Sequence, residues 1–166
     1  AQTLASAVSG TFHRIQCTPD LMPNDIVGSQ IWNQERGEMV TQLGPVHANM
    51  VLLDEINRSS AKTQSAMLEA MQERQTTIGG VNHKLPSPFM VMATQNPIEE
   101  EGTYILPEAQ MDRFLLKEVI TYPTPVEELE VLSRIDSGQM TIPSPAVPIT
   151  LDDVRTLQEA RRRVFI

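Results

Sequence analysis

The sequence predicts an α/β fold that is built on a mostly parallel sheet. Two continuous apolar runs, at residues 49–54 and 89–94, are typical of strands that are buried on both faces of such a sheet. Between them, residues 59–73 carry a stripe of apolar side chains at helical spacing, Met67, Leu68 and Met71, and Ser60 can cap this helix. Strands that are separated by a helix are too far apart in sequence for a hairpin, so they indicate βαβ units and parallel pairing.

The elements before the first apolar run follow from local signals. Residues 2–8 are expected to form the end of a helix, because Gly10 follows as a stop signal. Residues 11–17 have strand character, and the two prolines that follow allow only a short helix. Residues 29–43 predict a β-hairpin, since two strand-like pieces flank a polar stretch in which Gly37 can adopt a positive φ.

The later elements are predicted in the same way. Residues 75–85 form a second candidate hairpin, with two adjacent glycines, Gly79 and Gly80, as its turn. Residues 107–112 predict a short helix, and residues 115–121, which follow it, predict a third buried strand. Thr124 then opens a longer helix with a capping box and a proline in its first turn.

The predicted domain organisation has three parts. Residues 1–140 form a core that is expected to be incomplete, and residues 141–150 form a proline-rich linker. Residues 151–166 begin a helix that is expected to open a second, helical domain. Because the chain starts with Ala1 and both ends fall inside helical patterns, we expect it to be a fragment of a longer protein.

Composition excludes several classes of protein. The chain has 13 lysines and arginines against 21 aspartates and glutamates, a net charge of −8, which weighs against a nucleic-acid-binding protein. No apolar run approaches the ~20 residues that span a bilayer, so no membrane span is expected. The single cysteine excludes an intramolecular disulfide, and a cytoplasmic location is the default expectation.

Three groups of polar residues are candidates for chemistry. Asp54 and Glu55 end one buried strand, where a carboxylate can hold Mg²⁺ and its neighbour can polarise a water molecule. Asn96 follows the next strand, where an amide can orient water or contact a phosphate. Arg113 precedes the predicted third strand and could complement phosphate charge. Taken singly, each group also fits an ordinary feature: an acidic surface turn, an Asn-Pro turn or a surface ion pair.

In this order, the three groups resemble the Walker B, sensor 1 and arginine-finger motifs of the AAA+ ATPases. Within these ATPases, two segments of the sequence resemble the MoxR family most. They are GPVHANMVLLDEINRSSAKTQSAMLEAMQERQTTIGG (residues 44–80) and ATQNPIEEEGTYILPEAQMDRFLL (residues 93–116). The resemblance covers residues 4–166. It implies the AAA+ version of the P-loop NTPase fold, which has three layers, a parallel sheet, two β-hairpin insertions and, here, a truncated helical lid.

The resemblance also implies roles for the candidate residues. Asp54 would be the Walker B aspartate linked to Mg²⁺, Glu55 the glutamate that activates water, and Asn96 the sensor 1 residue in contact with ATP. Arg113 would be the finger that reaches the nucleotide of a neighbouring subunit. Members of the family hydrolyse ATP in homo-oligomeric rings, usually hexamers. They act as chaperones that remodel or mature partner proteins, often ones with von Willebrand factor A domains.

The sequence also departs from the family pattern. No Walker A loop of the form G-x-x-x-x-G-K-[ST] occurs in the 166 residues, and the lid arginine called sensor 2 would lie beyond Ile166. We therefore expect these residues alone to be inactive as an ATPase, and we expect a gap in the sheet where the strand before that loop would lie. Three other readings stay open: a motor subunit of the magnesium-chelatase type, a non-catalytic ring component, and a nucleic-acid translocase.

Overall fold

The computed structural model of the chain describes residues 1–96, 103–138 and 149–164. The helices are α1 (Gln2–Ala7), α2 (Pro23–Val27), α3 (Ala61–Glu73), α4 (Glu108–Met111), α5 (Pro125–Asp136) and α6 (Leu151–Arg161). The strands are β1 (Phe12–Gln16), β2 (Gly28–Asn33), β3 (Glu38–Leu43), β4 (Met50–Asp54), β5 (Gln75–Ile78), β6 (Val81–Lys84) and β7 (Met90–Ala93). A short 3-10 helix covers Ile56–Arg58. In the ranges that the structure describes, no helix is both long and apolar enough to cross a bilayer.

The central sheet has three parallel strands in the order β1, β4, β7. Gln16 pairs with Asp54 across the first ladder, and Leu53 pairs with Ala93 across the second. This arrangement confirms the predicted parallel sheet and the two buried strands at residues 49–54 and 89–94, and it adds β1, from the segment 11–17 with strand character, to the same sheet. Because all three strands run in the same direction, the residues that follow them meet at one edge, the carboxyl edge of the sheet.

Both predicted hairpins are confirmed. β2 and β3 pair antiparallel, and Gly37 in the turn between them has a φ of 64°. β5 and β6 pair antiparallel up to the contact of Ile78 with Val81, and the two glycines of that turn have φ values of 58° and 79°. Positive φ is the conformation that glycine adopts without steric cost, so the three turn glycines fix the position of both turns.

Helix α3 packs into the main hydrophobic core together with residues of β1 and β4. Ser60 caps the helix by accepting a hydrogen bond from the backbone N–H of Thr63 at 3.3 Å. Met67 and Leu68 are fully buried, and Met71 packs against the core from its margin, as the predicted stripe requires. Burying side chains of this size stabilises the fold by roughly 1.5–3 kcal/mol each.

The predicted third strand at residues 115–121 is wrong. The segment has no ladder, and the side chains of Leu115, Leu116 and Ile120 are 96%, 84% and 92% exposed. A strand exists only where a neighbouring strand supplies its hydrogen bonds. Within the described ranges, β7 has a neighbour on one side only, but residues 115–121 do not pair with its open edge.

The predicted helix after Thr124 is present as α5, with the predicted capping box. Its apolar residues Leu129, Leu132 and Ile135 lie on one face, but they are exposed. The pattern of a helix predicts which face is apolar, whereas burial also needs a partner surface. In the part of the chain that the structure describes, no such surface covers this face.

Helix α6 contacts the beginning of the chain. Leu151 and Val154 pack against a small cluster of three buried residues, Ala5, Val8 and Met50. The backbone N–H of Ile149 also donates to the carbonyl of Ala7 at 2.8 Å. Of the predicted linker, residues 141–148 lie outside the described residues, so the domain organisation stays a prediction.

Candidate functional site

The candidate site lies at the carboxyl edge of the sheet. Asp54 ends β4, Glu55 follows it, and Thr94 and Asn96 follow β7. The side chains of Asp54 and Glu55 are 21% and 26% exposed, so both carboxylates are largely covered by protein and still reach solvent. The structure therefore brings three of the four predicted site residues, Asp54, Glu55 and Asn96, to one edge.

Both carboxylate oxygens of Asp54 are engaged. The hydroxyl of Thr94 donates to Oδ1 at 2.6 Å, and Nε of Arg14 donates to Oδ2 at 3.0 Å. Nη2 of Arg14 forms an ion pair with the same oxygen. These hydrogen bonds, that of Thr94 first and that of Arg14 second, lower the pKa of Asp54 below its usual value. Asp54 is therefore ionised at neutral pH.

Glu55 stands at a sharp turn between β4 and the 3-10 helix. Its φ of 56° and ψ of 52° place it in the left-handed region, and its backbone N–H donates to the hydroxyl oxygen of Thr94 at 2.9 Å. Its carboxylate oxygen Oε2 accepts from Nε2 of Gln16 at 3.2 Å and from Nη1 of Arg58 at 3.3 Å. The backbone turn and two donors thus fix the direction of this side chain.

Asn96 is joined to the turn after β4 by a buried residue. Nδ2 of Asn57 donates to the carbonyl oxygen of Asn96 at 3.1 Å, and the carbonyl of Asn57 accepts from the backbone N–H of Tyr104 at 2.6 Å. Asn57 thereby links three segments that are distant in sequence. These bonds hold the loop after β7 beside the loop that carries Glu55.

Arg113 is not part of this cluster. It lies in an exposed turn after α4, where its backbone N–H donates to the carbonyl of Gln110 at 3.4 Å. Among the described residues, its guanidinium has no hydrogen bond or ion pair. An ordinary surface ion pair with Asp112 or Glu108, the alternative to a functional role, is therefore not formed.

Sequence patterns alone did not identify several residues of the site, among them Arg14, Gln16 and Thr94. Alternate residues of a strand point to the same face, so the spacing of Arg14 and Gln16 in β1 places both on one side of the sheet. That pattern could have identified them as a pair. Nothing in the sequence indicates that their partners would be Asp54 and Glu55, about 40 residues away.

The two adjacent carboxylates suit Mg²⁺ bound together with a phosphate. Mg²⁺ in such sites takes one or two protein carboxylates and completes its shell with phosphate oxygens and water. No cluster of three or more acidic, histidine or cysteine side chains that could hold a metal occurs in the described ranges. A site made of Asp54, Glu55 and a bound nucleotide fits these residues, since the two carboxylates supply part of the Mg²⁺ shell and leave the rest to phosphate oxygens and water.

The chain is similar to known proteins. The model of the ATPase family associated with various cellular activities (AAA) matches residues 1–116. The chaperone MoxR1 of Mycobacterium tuberculosis is 53% identical over 99% of this chain, which spans 43% of that protein. The uncharacterized protein YeaC of Bacillus subtilis is 54% identical over 80% of this chain, and the match spans 41% of YeaC.

A solved structure shows the same fold. It is a crystal structure from Cytophaga hutchinsonii of a protein to which ATPase activity is ascribed. It matches 98% of this chain with a TM-score of 0.83 and 48% identity, and the match covers 49% of that protein. The chain therefore spans less than half the length of these relatives. The family match, the MoxR relatives and the shared fold lead to one conclusion: this chain belongs to the AAA family of ATPases, within its MoxR group.

Proposed function

We propose that the complete gene product hydrolyses ATP with Mg²⁺ and uses the cycle to remodel or mature partner proteins. The observation that carries the proposal is the pair of adjacent acidic residues, one of them with a lowered pKa, at the carboxyl edge of a parallel sheet. In sheets of this kind, ligands bind outside the carboxyl ends of the strands.

Each residue of the site has a role in this proposal. Asp54 is the oxygen ligand that would position Mg²⁺, which supplies neutralisation of phosphate charge when it is bound. Glu55 orients the attacking water and accepts its proton, because its carboxylate is half-buried and directed by two donors. Asn96 contributes an uncharged amide at the same edge, suited to contact with a γ-phosphate.

Arg113 has a role only if a second subunit is present. It is exposed, and within the described residues its guanidinium has no partner, which suits a finger that completes the site of a neighbour. A head-to-tail contact of this kind repeats around a closed ring. We propose a homo-oligomeric ring, a hexamer by resemblance to the family. The proposed clients are proteins with von Willebrand factor A domains, and the proposed location is the cytoplasm. The chaperone role is supported by the name of the Mycobacterium tuberculosis relative.

The test is the substitution Glu55→Gln in the complete gene product. Glutamine keeps the shape and removes the charge, so nucleotide should still bind while turnover falls by ~10²-fold or more, as expected when a general base is lost. The matched control is Glu69→Gln, the same substitution on the exposed face of α3, which should leave turnover unchanged. A Glu55→Gln protein with normal turnover would refute the proposed role of Glu55. If Glu69→Gln also lost turnover, the loss in Glu55→Gln could result from misfolding and would not identify Glu55 as the general base.

A further inference from the structure

Each of the two carboxylates at the carboxyl edge has an arginine as its counter-ion. Arg14 of β1 pairs with Asp54, and Arg58 of the 3-10 helix pairs with Glu55. Two adjacent carboxylates repel each other, and the two guanidinium groups offset that repulsion. Without a metal, the protein therefore supplies its own positive charge at this edge.

The position of Arg14 follows from the register of the sheet. Gln16 lies directly beside Asp54, and Arg14 lies two residues earlier, beside Leu52. Only a long side chain can reach from there to the strand end, and Nε of Arg14 does so at 3.0 Å from Oδ2. β1 thus delivers one donor to each acidic residue: Gln16 to Glu55 and Arg14 to Asp54.

The two donors on Asp54 differ in how easily they can leave. Thr94 is attached to the strand next to β4 and holds Oδ1 through a short side chain. Arg14 holds Oδ2 through a long side chain that is 60% exposed. An exposed ion pair contributes little to stability, so Arg14 can withdraw into solvent at small cost. Oδ2 is therefore the oxygen of Asp54 that another cation can reach.

We infer that Arg14 is a resident counter-ion that occupies Asp54 in the absence of metal and yields Oδ2 when Mg²⁺ binds. This inference rests on the proposed function, because it concerns the same site. Metal binding is then an exchange of one cation for another, and Arg14 weakens it. The alternative is that Arg14 stays on Asp54 and orients it for the metal, in which case Arg14 strengthens binding. The two readings predict opposite signs.

The experiment measures metal affinity directly. Mn²⁺ serves as the probe, and electron paramagnetic resonance counts free Mn²⁺ in a titration of the complete gene product with saturating ADP. We expect Arg14→Gln to lower the half-saturating Mn²⁺ concentration by about two- to five-fold, the range for one exposed ion pair. Arg14→Lys keeps the charge and should stay near the unsubstituted protein. An unchanged or higher half-saturating concentration in Arg14→Gln would overturn the inference.

The matched control is Arg36→Gln in the turn of the first hairpin. Arg36 is also exposed and is 3.9 Å from a carboxylate, that of Glu38, away from the strand ends. It undergoes the same loss of one positive charge, so it separates a local effect at Asp54 from the change in net charge. Its half-saturating Mn²⁺ concentration should equal that of the unsubstituted protein. A shift as large as that of Arg14→Gln would also overturn the inference.

Failure of the proposed function gives a different result. If the unsubstituted protein binds no ADP, the ATPase proposal fails, and Arg14 is then tested without nucleotide. Paramagnetic broadening of the amide signals of Asp54 and Glu55 reports Mn²⁺ near the carboxylates. Stronger broadening in Arg14→Gln at equal Mn²⁺ supports the inference, and equal or weaker broadening overturns it.

Discussion

The hydroxyl of Thr94 donates a 2.6 Å hydrogen bond to Oδ1 of Asp54, so the strand end of β7 holds the carboxylate at the strand end of β4. The same hydroxyl oxygen accepts from the backbone N–H of Glu55 at 2.9 Å. One small side chain thus fixes the carboxylate of one acidic residue and the backbone of the next. A hydroxyl between two acidic residues can do both because it is donor and acceptor at once.

This relationship predicts the effect of Thr94→Val. Valine keeps the shape and lacks the hydroxyl, so the pKa of Asp54 should rise toward its ordinary value, since Thr94 is the largest cause of its lowered pKa. Carboxyl carbon NMR during an acid titration measures this change, and Thr94→Ser is the control that keeps the hydroxyl. A pKa that stays at the unsubstituted value would assign the effect to Arg14 instead.

The same substitution should alter acid stability. A carboxyl group with a lowered pKa in the folded state stabilises the fold above its unfolded pKa, and that contribution is lost as pH falls through the folded pKa. The unsubstituted protein should therefore lose more stability below pH 3.8 than Thr94→Val does. Urea unfolding at neutral and acidic pH gives the comparison.

The 166 residues alone should not bind ATP tightly and should show no ATPase activity. The sequence contains no glycine-rich loop with a lysine, which is the part that surrounds the β- and γ-phosphates in P-loop enzymes. Calorimetric titration with Mg-ATP should give no micromolar binding, and the complete gene product is the matched comparison. Micromolar binding by the 166 residues would contradict the prediction.

Arg113 should act on the site of a neighbouring subunit. Arg113→Ala and Glu55→Gln, each in the complete gene product, should be nearly inactive alone, because such fingers contribute on the order of 10³–10⁵ in rate. In mixed rings, some contacts combine an intact Glu55 with an intact Arg113 from the neighbour, so part of the activity should return. If mixed rings are shown to form and no activity returns, Arg113 does not act across subunits.

His47, which contacts the second hairpin, should make the stability of the folded protein depend on pH. Its Nε2 lies 2.9 Å from the hydroxyl oxygen of Thr76, and its ring meets that of His83 edge-on, with 6.5 Å between the ring centres. Burial, and after it the charge of His83, lowers the pKa of His47 below its ordinary value of 6.5. The folded state thus favours neutral His47, and stability should fall as pH drops below 6.5.

His47→Gln provides the measurement for this pH dependence. Glutamine can still bond to Thr76 and does not titrate, so unfolding free energies measured across this pH range should vary less in His47→Gln. His13→Gln is the control, because His13 is exposed and contacts a carbonyl, that of Pro45, at 2.9 Å. Equal pH dependence in His47→Gln and the unsubstituted protein would show that His47 is not the sensitive group.

The parts of the fold that were predicted correctly depend on residues close together in sequence. The glycines of the two turns placed both hairpins, and Ser60 and Thr124 placed the starts of α3 and α5. These signals act within one turn or one helix end, so they can be seen without knowing what the element packs against.

The parts that failed depend on distant partners. Residues 115–121 were predicted as a strand from their own residues, which do not show whether the segment lies beside another strand. Arg14 and Gln16 became site residues only through the pairing of β1 with β4, which joins positions about 40 residues apart. Asp54 and Glu55 were predicted because they directly follow a buried strand. Their contacts come from β1, from Thr94 after β7 and from Arg58 in the 3-10 helix.

At position 55, the left-handed backbone favours glycine for stability, whereas the proposed reaction needs the carboxylate of Glu55. A residue with a side chain reaches this conformation at a cost of ~1 kcal/mol or more, whereas glycine reaches it freely. A thermodynamically better sequence for the turn would therefore lack the carboxylate that the proposed reaction needs. Glu55→Gly should accordingly melt at a higher temperature than Glu55→Ala, although both lack the acid. Stability screening of this protein alone would favour the loss of Glu55, and only a screen for turnover would retain it.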